Sequence, residues 1–298
     1  MKTLQSGEMR VHSIGEIDRC LLDAVTLFPE APPDLGEQHK SWLDDRFIEP
    51  QSHQLVVAFQ SFVVQTRTRN ILIDAGIGNL KRRPAKPWQH NLRTTYLDNF
   101  AAIGLRPQDI DLVVCTHLHA DTIGWNTKLL NGHLVPTFTS AKYLFPVEDF
   151  DRLNRLHQSR PAEPVLSGAF VESVLPILDA GVAVLVESDH VIEQQGDDGV
   201  WLEDMPGHTP GHVMIHVKAG TFHVVLAGDL LYHPVQLMEP DLAMAEDGDA
   251  EEAIASRRRL LRTYADTNTI VVPGHFATPT AGRIITWGDQ YRFRWIER

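Results

Sequence analysis

Short apolar runs separated by polar turns recur along the chain. The runs at 55–59 and 61–65 have the β-branched and aromatic composition typical of strands, and a run at 70–74 leads into a glycine-rich loop. Further strands are predicted at 110–115, 142–145, 182–186, 191–193, 213–217, 222–227 and 269–272. The first 55 residues predict a short opening strand followed by an excursion over the surface.

Apolar residues at helical spacing predict helices between these strands. The pattern covers 91–104, part of 140–160, and 249–264. The acidic run at 246–252 suits the first turn of the last helix, because carboxylates stabilise the positive end of the helix dipole. No Gly/Ser linker separates the two halves of the sequence, and no pattern recurs with a period of 20 to 50 residues. The sequence therefore predicts one layered α/β domain over 1–298.

Charge and composition narrow the class of protein. Lys and Arg number 27 against 39 Asp and Glu, and the net charge of −12 disfavours nucleic acid as a partner. No apolar run reaches the roughly 18 residues of a membrane span, and two cysteines predict neither a disulfide framework nor a cysteine zinc site. These features predict a soluble, cytoplasmic protein. The short basic runs at 81–83 and 257–259 are interpreted as solvated surface.

The first candidate for chemistry directly follows the buried strand at 110–115. His117 and His119 are two residues apart. In extended backbone every second side chain points to the same side, so these two imidazoles can face the same way. Asp121 adds a carboxylate to the same segment. Imidazole and carboxylate groups are ligands of borderline cations such as zinc, so this segment is a candidate metal site.

Three later segments repeat this arrangement at the ends of predicted strands. His208 lies in a Gly- and Pro-rich turn, Asp229 follows the strand at 222–227, and His275 follows the strand at 269–272. Four strand ends that each carry a metal-type ligand are better explained by one shared metal centre than by unrelated turn residues.

The order of these residues resembles the metallo-β-lactamase fold superfamily, whose signature is His-x-His-x-Asp-His followed by a distant His, Asp and His. The resemblance covers most of 55–280 and implies a four-layered αββα sandwich. By the family pattern, His117, His119 and His208 hold a first metal. Asp121 and His275 belong to the second metal site, and Asp229 bridges the two.

One position departs from the family signature, because Thr122 stands where the family has the last histidine of the His-x-His-x-Asp-His segment. A hydroxyl is a poor substitute for an imidazole ligand. The departure predicts one firmly bound zinc per chain, with manganese or iron as alternatives, and a second metal that is weak or absent. Thr122 is expected at a solvent-facing cleft edge. His133, His212 and His233 are near enough in sequence to be alternative donors.

Several segments resemble the superfamily branch of small-molecule hydrolases, which includes N-acyl-homoserine lactonases and methyl parathion hydrolase. The resemblance implies attack of a metal-bound hydroxide on a small, mostly uncharged ester-like substrate, with lactones or carboxyl esters favoured. Asp121 would orient or deprotonate the water, and Tyr232 would steady the oxyanion. Phosphotriester hydrolysis, hydrolytic dehalogenation and a mononuclear iron oxidoreductase of the persulfide dioxygenase type are the alternatives, together with a binding protein that has lost turnover. A homodimer is the family expectation.

Overall fold

The computed structural model describes residues 3–160 and 163–296, which contain two large sheets and several helices. The strands are β1 (Leu4–Ser6), β2 (Met9–Leu22), β3 (Leu55–Gln65), β4 (Asn70–Ile73), β5 (Leu112–Val114), β6 (Thr127–Leu130), β7 (His133–Pro136), β8 (Lys142–Pro146), β9 (Ala183–Val186), β10 (Val191–Gln195), β11 (Asp198–Asp204), β12 (Val213–Ala219), β13 (Phe222–Leu226), β14 (Ile270–Val272), β15 (Gly282–Trp287) and β16 (Gln290–Trp295).

The helices are mostly short. The α-helices are α1 (Ala24–Leu27), α2 (Leu35–His39), α3 (Val147–Ser159), α4 (Ala169–Ser173), α5 (Leu175–Asp179), α6 (Val235–Met238) and α7 (Ala250–Tyr264). Short 3-10 helices lie at Pro87–Gln89, Asp98–Ile103, Pro107–Asp109, Gly124–Asn126, Val165–Gly168 and Gly228–Leu230. Among these described helices, none is long and apolar enough to cross a membrane.

The described chain divides into two compact units, and the division falls within β2 and β3. The amino-terminal unit comprises residues 3–17 and 59–188, and the carboxy-terminal unit comprises residues 18–58 and 189–296. Both contain strands and helices, so the predicted α/β class is confirmed. The prediction of one domain over the whole chain stays a prediction.

In the amino-terminal unit, parallel strands place the loop that follows β5, which carries His117 and His119, beside the loop that follows β4. The seven-stranded sheet has the order β1-β2-β3-β4-β5-β8-β9, and β4, β5, β8 and β9 are parallel neighbours. Ile73 pairs with Val114, so the residues that follow β4 and β5 leave the sheet side by side. All three β5 residues are buried, as expected for a strand covered on both faces.

The carboxy-terminal unit also has a pair of parallel strands whose following loops begin side by side. Its sheet runs in the order β10 to β16, and β13 and β14 are parallel, with Leu226 paired to Val272. The loops that carry Asp229 and His275 therefore begin at the same edge of the sheet. Helix α7 covers a core that includes Leu260 and Leu261.

Most of the acidic run at 246–252 lies at the start of α7, as predicted. The Asp249 side chain caps the helix by accepting a hydrogen bond from the backbone N–H of Glu252 at 3.0 Å, and Glu251 and Glu252 occupy the first turn. Asp247 is an exception with a different role, which is described with the functional site.

The predicted helix over 91–104 is wrong for its first half. Only Asp98–Ile103 is helical, as a 3-10 helix. Asn91 has a φ of 51°, and its backbone N–H donates to Lys81, while Leu80 donates to the carbonyl of Leu92. These bonds to the 80–81 segment take the place of the helical hydrogen bonds, which the apolar spacing alone could not reveal.

The interpretation of the basic runs as solvated surface is wrong for three of their six residues, whereas Arg82, Arg258 and Arg259 are exposed. Lys81, Arg83 and Arg257 are 4%, 1% and 1% exposed. The Lys81 ammonium donates to Thr127 Oγ1, and Arg83 forms an ion pair with Glu172 at 2.7 Å. Burial was not foreseen because each charge is paired or hydrogen-bonded with residues far away in sequence.

The ends of the chain contain more sheet than the sequence pattern suggested. The opening strand is followed by β2, which is 14 residues long, and the strand predicted at 269–272 is not the last, because β15 and β16 form a hairpin after it. Polar and aromatic residues alternate in β16, so it lacks the continuous apolar run that marked the other strands.

A buried carboxylate anchors the loop that follows β4. Glu16 accepts hydrogen bonds from the backbone of Ile77 and Gly78 and from the Trp125 indole. Burial raises the pKa of Glu16 to about 7, although these donors oppose the rise. A raised folded-state pKa means that this group's contribution to stability falls as pH rises from about 4.5 to about 7.

We therefore expect Glu16→Gln to be less stable than the wild type at pH 5, because an amide cannot accept all of these hydrogen bonds. The deficit should narrow as the pH rises to 8, since only the wild type loses stability through ionisation of Glu16. Urea unfolding of both proteins at pH 5 and pH 8 measures the difference in their free energies of unfolding. A deficit that stays constant or widens would contradict the assignment.

Candidate metal centre

In the amino-terminal unit, the loop after β5 holds His117 in a fixed orientation. The Thr116 hydroxyl contacts both Asp74 oxygens, at 2.9 and 3.1 Å, and lies 3.0 Å from His117 Nδ1. Because the single hydroxyl hydrogen is donated to the carboxylate, the hydroxyl accepts from Nδ1–H of His117. The Nε2 atom of His117 is then the unprotonated nitrogen, which is the form that binds a metal.

The remainder of this loop is fixed by a second carboxylate. Asp149, at the start of α3, accepts a hydrogen bond from the backbone N–H of Leu118 at 2.8 Å. The rings of His117 and His119 lie edge to face with centroids 4.7 Å apart, so the two predicted ligands are neighbours. Asp121 is buried and accepts a hydrogen bond from the Gln89 amide at 3.2 Å. The structure thus brings His117 and His119 together and places Asp121 beside Gln89.

Thr122 is not at a solvent-facing edge, so that prediction is wrong. Its side chain is buried, and its hydroxyl lies 3.0 Å from the His119 carbonyl and 3.2 Å from the carbonyl of His117. Its own carbonyl accepts from the backbone N–H of Ala75 at 2.6 Å. Thr122 therefore stabilises the histidine loop from within, and a larger side chain has no solvent to enter.

We expect Thr122→Val to lower the free energy of unfolding by about 1–2 kcal/mol, because it keeps the shape but removes the hydroxyl hydrogen bonds. Thr122→His should be worse, because overpacking a buried position typically costs about 1–3 kcal/mol. Urea unfolding measures both, with the exposed Thr139→Val as the matched control. A Thr122→His protein as stable as the wild type would contradict the buried placement.

In the carboxy-terminal unit, two histidines face opposite oxygens of one carboxylate. His208 Nε2 lies 3.3 Å from Asp229 Oδ2, and His275 Nε2 lies 3.3 Å from Asp229 Oδ1. The other nitrogen of His275 is bonded to the carbonyl of Ala58 at 2.9 Å. All three side chains are buried. A carboxylate with a separate imidazole at each oxygen has the donor arrangement of a bridging ligand.

The loop that carries His208 requires glycine at one position. Gly207 has a φ of 120°, and a Cβ added there would lie 2.1 Å from the backbone nitrogen of Ala253 in α7. The turn therefore packs directly against the first turn of that helix.

Asp247 contacts the predicted ligand His208, and the sequence alone did not predict this contact. Its carboxylate accepts a hydrogen bond from His208 Nδ1 at 2.8 Å and another from the backbone N–H of Met244. Burial lowers the pKa of His208, but the bonds to Asp229 and Asp247 outweigh it and raise that pKa to about 10. A carboxylate on the outer nitrogen of a metal-binding histidine fixes the ring and raises its basicity. The only signal in the sequence was the acidic run at 246–252.

Two of the three alternative donors for the predicted second site are engaged in other hydrogen bonds. His212 is bonded through Nδ1 to the carbonyl of Met205 and accepts the backbone N–H of Asp229 at Nε2. His233 is bonded through Nε2 to the carbonyl of Phe47 and accepts from Val235 at Nδ1. His133 is exposed on the hairpin of the amino-terminal unit.

Tyr232, which the sequence also singled out, and Cys115 lie close to these ligands. The ring of Tyr232 stacks on His275 with centroids 4.0 Å apart. Cys115 precedes the histidine loop and is fully buried, and burial raises the pKa of its thiol well above the usual value. A buried thiol that is held in the neutral form is unreactive.

Comparison with curated proteins gives distant relatives. An N-acyl homoserine lactonase of a Bacillus species is 25% identical over 173 residues, which is 58% of each chain. A probable metallo-hydrolase of Mycobacterium tuberculosis is 28% identical over 183 residues, which is 57% of this chain and 56% of the relative. The chain thus matches less than two thirds of the length of these relatives.

Comparison with solved structures supports the predicted fold. The structure resembles AidC, a dizinc quorum-quenching lactonase, with a TM-score of 0.76 over 100% of this chain and 97% of that one, at 19% identity. An identity this low shows the fold alone. The profile of the Metallo-beta-lactamase superfamily matches residues 60–275. This match spans most of the chain and contains all six predicted ligands, and the protein therefore belongs to the metallo-β-lactamase superfamily.

Proposed function

We propose that the protein is a metal-dependent hydrolase of small, mostly uncharged ester-like substrates, with lactones first. The observation that carries the proposal is the arrangement of His208, Asp229 and His275, in which each oxygen of one buried carboxylate faces a different imidazole. Buried imidazoles and carboxylates are ligands that zinc-type cations take in catalytic sites.

The ligand set we propose is the one that the sequence predicts. His117, His119 and His208 would hold the first cation, Asp121 and His275 would contribute to a second, and Asp229 would bridge them. The fixed outer nitrogens of His117 and His208 support this assignment, because each leaves Nε2 to face a cation. We propose zinc at the first position and a more weakly held cation at the second.

The residues would divide the hydrolysis of a lactone between them. When bound, the cation supplies electrophilic polarisation and makes a water molecule more acidic. Asp121 would hold that water and accept its proton, and the Tyr232 hydroxyl would donate to the carbonyl oxygen as negative charge develops on it. The water oxygen bonds to the carbonyl carbon, the ring C–O bond breaks, and the departing alkoxide takes up the proton.

Charge supports a substrate without multiple negative charges. The chain carries a net charge of −12, and two of its buried basic side chains are hydrogen-bonded to other parts of the protein. Lys81 donates to Thr127, and the guanidinium of Arg257 donates to the carbonyls of Leu230 and Pro240. The name of the Bacillus relative is an independent reason to place lactones first.

The test is elemental analysis of the purified protein followed by kcat/KM for a lactone, an aryl ester, a phosphotriester and a phosphate monoester. We expect bound zinc, the highest value for the lactone and the lowest for the monoester, and loss of turnover on chelation that added Zn²⁺ restores. Preference for the monoester would overturn the substrate class. Bound iron with oxygen consumption would overturn hydrolysis.

A further inference from the structure

A buried amide lies beside one of the predicted second-site ligands. Gln89 ends the 3-10 helix Pro87–Gln89, and its backbone N–H donates to the carbonyl of Lys86 at 2.9 Å. Its side chain is 1% exposed, and its amide nitrogen donates to Asp121 Oδ2 at 3.2 Å. Both residues belong to the amino-terminal unit, so their contact is internal to one compact body.

The oxygen of the same amide has no hydrogen bond. Gln89 Oε1 is excluded from solvent, and no residue in 3–160 or 163–296 offers it a donor. A buried carbonyl left without a partner is destabilising, so an amide at this position calls for an explanation. Oε1 belongs to the same amide as Nε2, which contacts Asp121, so a cation held by Asp121 on the side of Oε1 would satisfy it.

We propose that Gln89 Oε1 is the ligand that takes the place of the histidine missing at position 122. The inference rests on the proposed function and concerns its second cation. Thr122 cannot fill the role, because its hydroxyl is bonded within the histidine loop. An amide oxygen is, like imidazole, a neutral donor, and with Asp121 it forms an oxygen pair.

The identity of the donor predicts which cation this position prefers. Carbonyl and carboxylate oxygens suit harder cations such as Mn²⁺, whereas imidazole suits zinc. Replacing a nitrogen donor with Gln89 therefore makes the second position harder than the first, where three histidines are proposed. We expect a protein that holds zinc firmly at one position and takes Mn²⁺ reversibly at the other.

The competing explanation is that Gln89 only positions Asp121 through Nε2. Substitution by glutamate separates the two, because Gln89→Glu keeps an oxygen donor but loses the amide hydrogens. A ligand role predicts that Gln89→Glu binds the second cation at least as tightly as the wild type. A positioning role predicts weaker binding, since two carboxylates would then face each other without a hydrogen bond. Gln89→Leu removes both functions.

The experiment uses the full chain with one equivalent of Zn²⁺ and follows added Mn²⁺ by the electron paramagnetic resonance signal of the free ion. We expect one further equivalent to bind to the wild type, with at least about tenfold weaker affinity in Gln89→Leu, the scale on which losses around metal sites are felt. Gln89→Glu should bind as tightly as the wild type or more so. Gln108→Glu, at an exposed glutamine of the same unit, is the matched control and should bind like the wild type. Urea unfolding without metal checks that every variant is folded.

Each remaining outcome overturns the inference. Unchanged Mn²⁺ affinity in Gln89→Leu, equal weakening in both Gln89 variants, or no second equivalent in the wild type would each exclude Gln89 as a ligand. If Gln89→Leu does not fold, Gln89→Glu and Gln108→Glu alone decide between a ligand and a positioning role. Failure of the proposed function would appear separately, as a wild-type protein that binds no zinc and hydrolyses no lactone.

Discussion

Replacing His208 with alanine is expected to remove the firmly bound metal and to abolish hydrolysis. The imidazole is buried, faces Asp229 through Nε2 and is held by Asp247 through Nδ1, so no neighbouring side chain can take its place without moving. Losing an outer partner of a metal ligand typically costs about 10–100-fold in affinity or activity, and losing the ligand itself should cost more.

Elemental analysis and kcat/KM for a lactone measure this effect on one preparation. His133→Ala is the matched control, because His133 is exposed on β7 and is not one of the six ligands proposed for the metals. The control should keep both metal and activity. A His208→Ala protein that retains its metal and its turnover would exclude His208 from the first position.

Asp247→Ala is expected to lower both stability and metal affinity, although Asp247 is not a predicted ligand. The substitution removes the acceptor for His208 Nδ1 and leaves the buried Arg257 guanidinium, 3.8 Å away, without its nearby carboxylate. Removing one partner of a buried charged group costs about 3 kcal/mol or more. The metal affinity should fall about 10–100-fold, because the His208 ring loses its anchor.

Urea unfolding of metal-free protein and competition with a chelator separate the two effects. Glu251→Ala, an exposed acidic residue in the first turn of α7, is the control and should change stability by less than about 1 kcal/mol. An Asp247→Ala protein with wild-type affinity for zinc would show that the hydrogen bond to His208 does not support the metal.

The parts of the site that could be predicted are those written in local sequence. His117, Asp229 and His275 were found because each follows a buried strand, and parallel strands carry their ends to one edge. The apolar runs at β5 and β14 were clear for the same reason. Residue type and position after a strand are visible in a single sequence.

The residues that could not be predicted act through long-range contacts. Gln89 and Asp121 are separated by 32 positions, and His208 and Asp247 by 39, and nothing near either partner marks the pairing. The prediction for Thr122 was wrong because the identity of a residue does not reveal the direction in which its side chain points. In each case the deciding hydrogen bond joins segments that only the folded chain brings together.

The pairing of Ala58 with His275 has a consequence for the order in which the chain can fold during synthesis. The backbone N–H of Ala58 donates to the His275 carbonyl, and the His275 ring returns a bond across 217 positions. All segments of the amino-terminal unit have been synthesised by residue 188, whereas the carboxy-terminal unit needs its last ligand. We therefore expect the segment that contains His117 and His119 to fold early in the nascent chain. Residues 18–58 would stay unfolded until the rest of the carboxy-terminal unit has been synthesised. If translation stopped before residue 270, residues 18–58 would remain unfolded and accessible to proteases and chaperones.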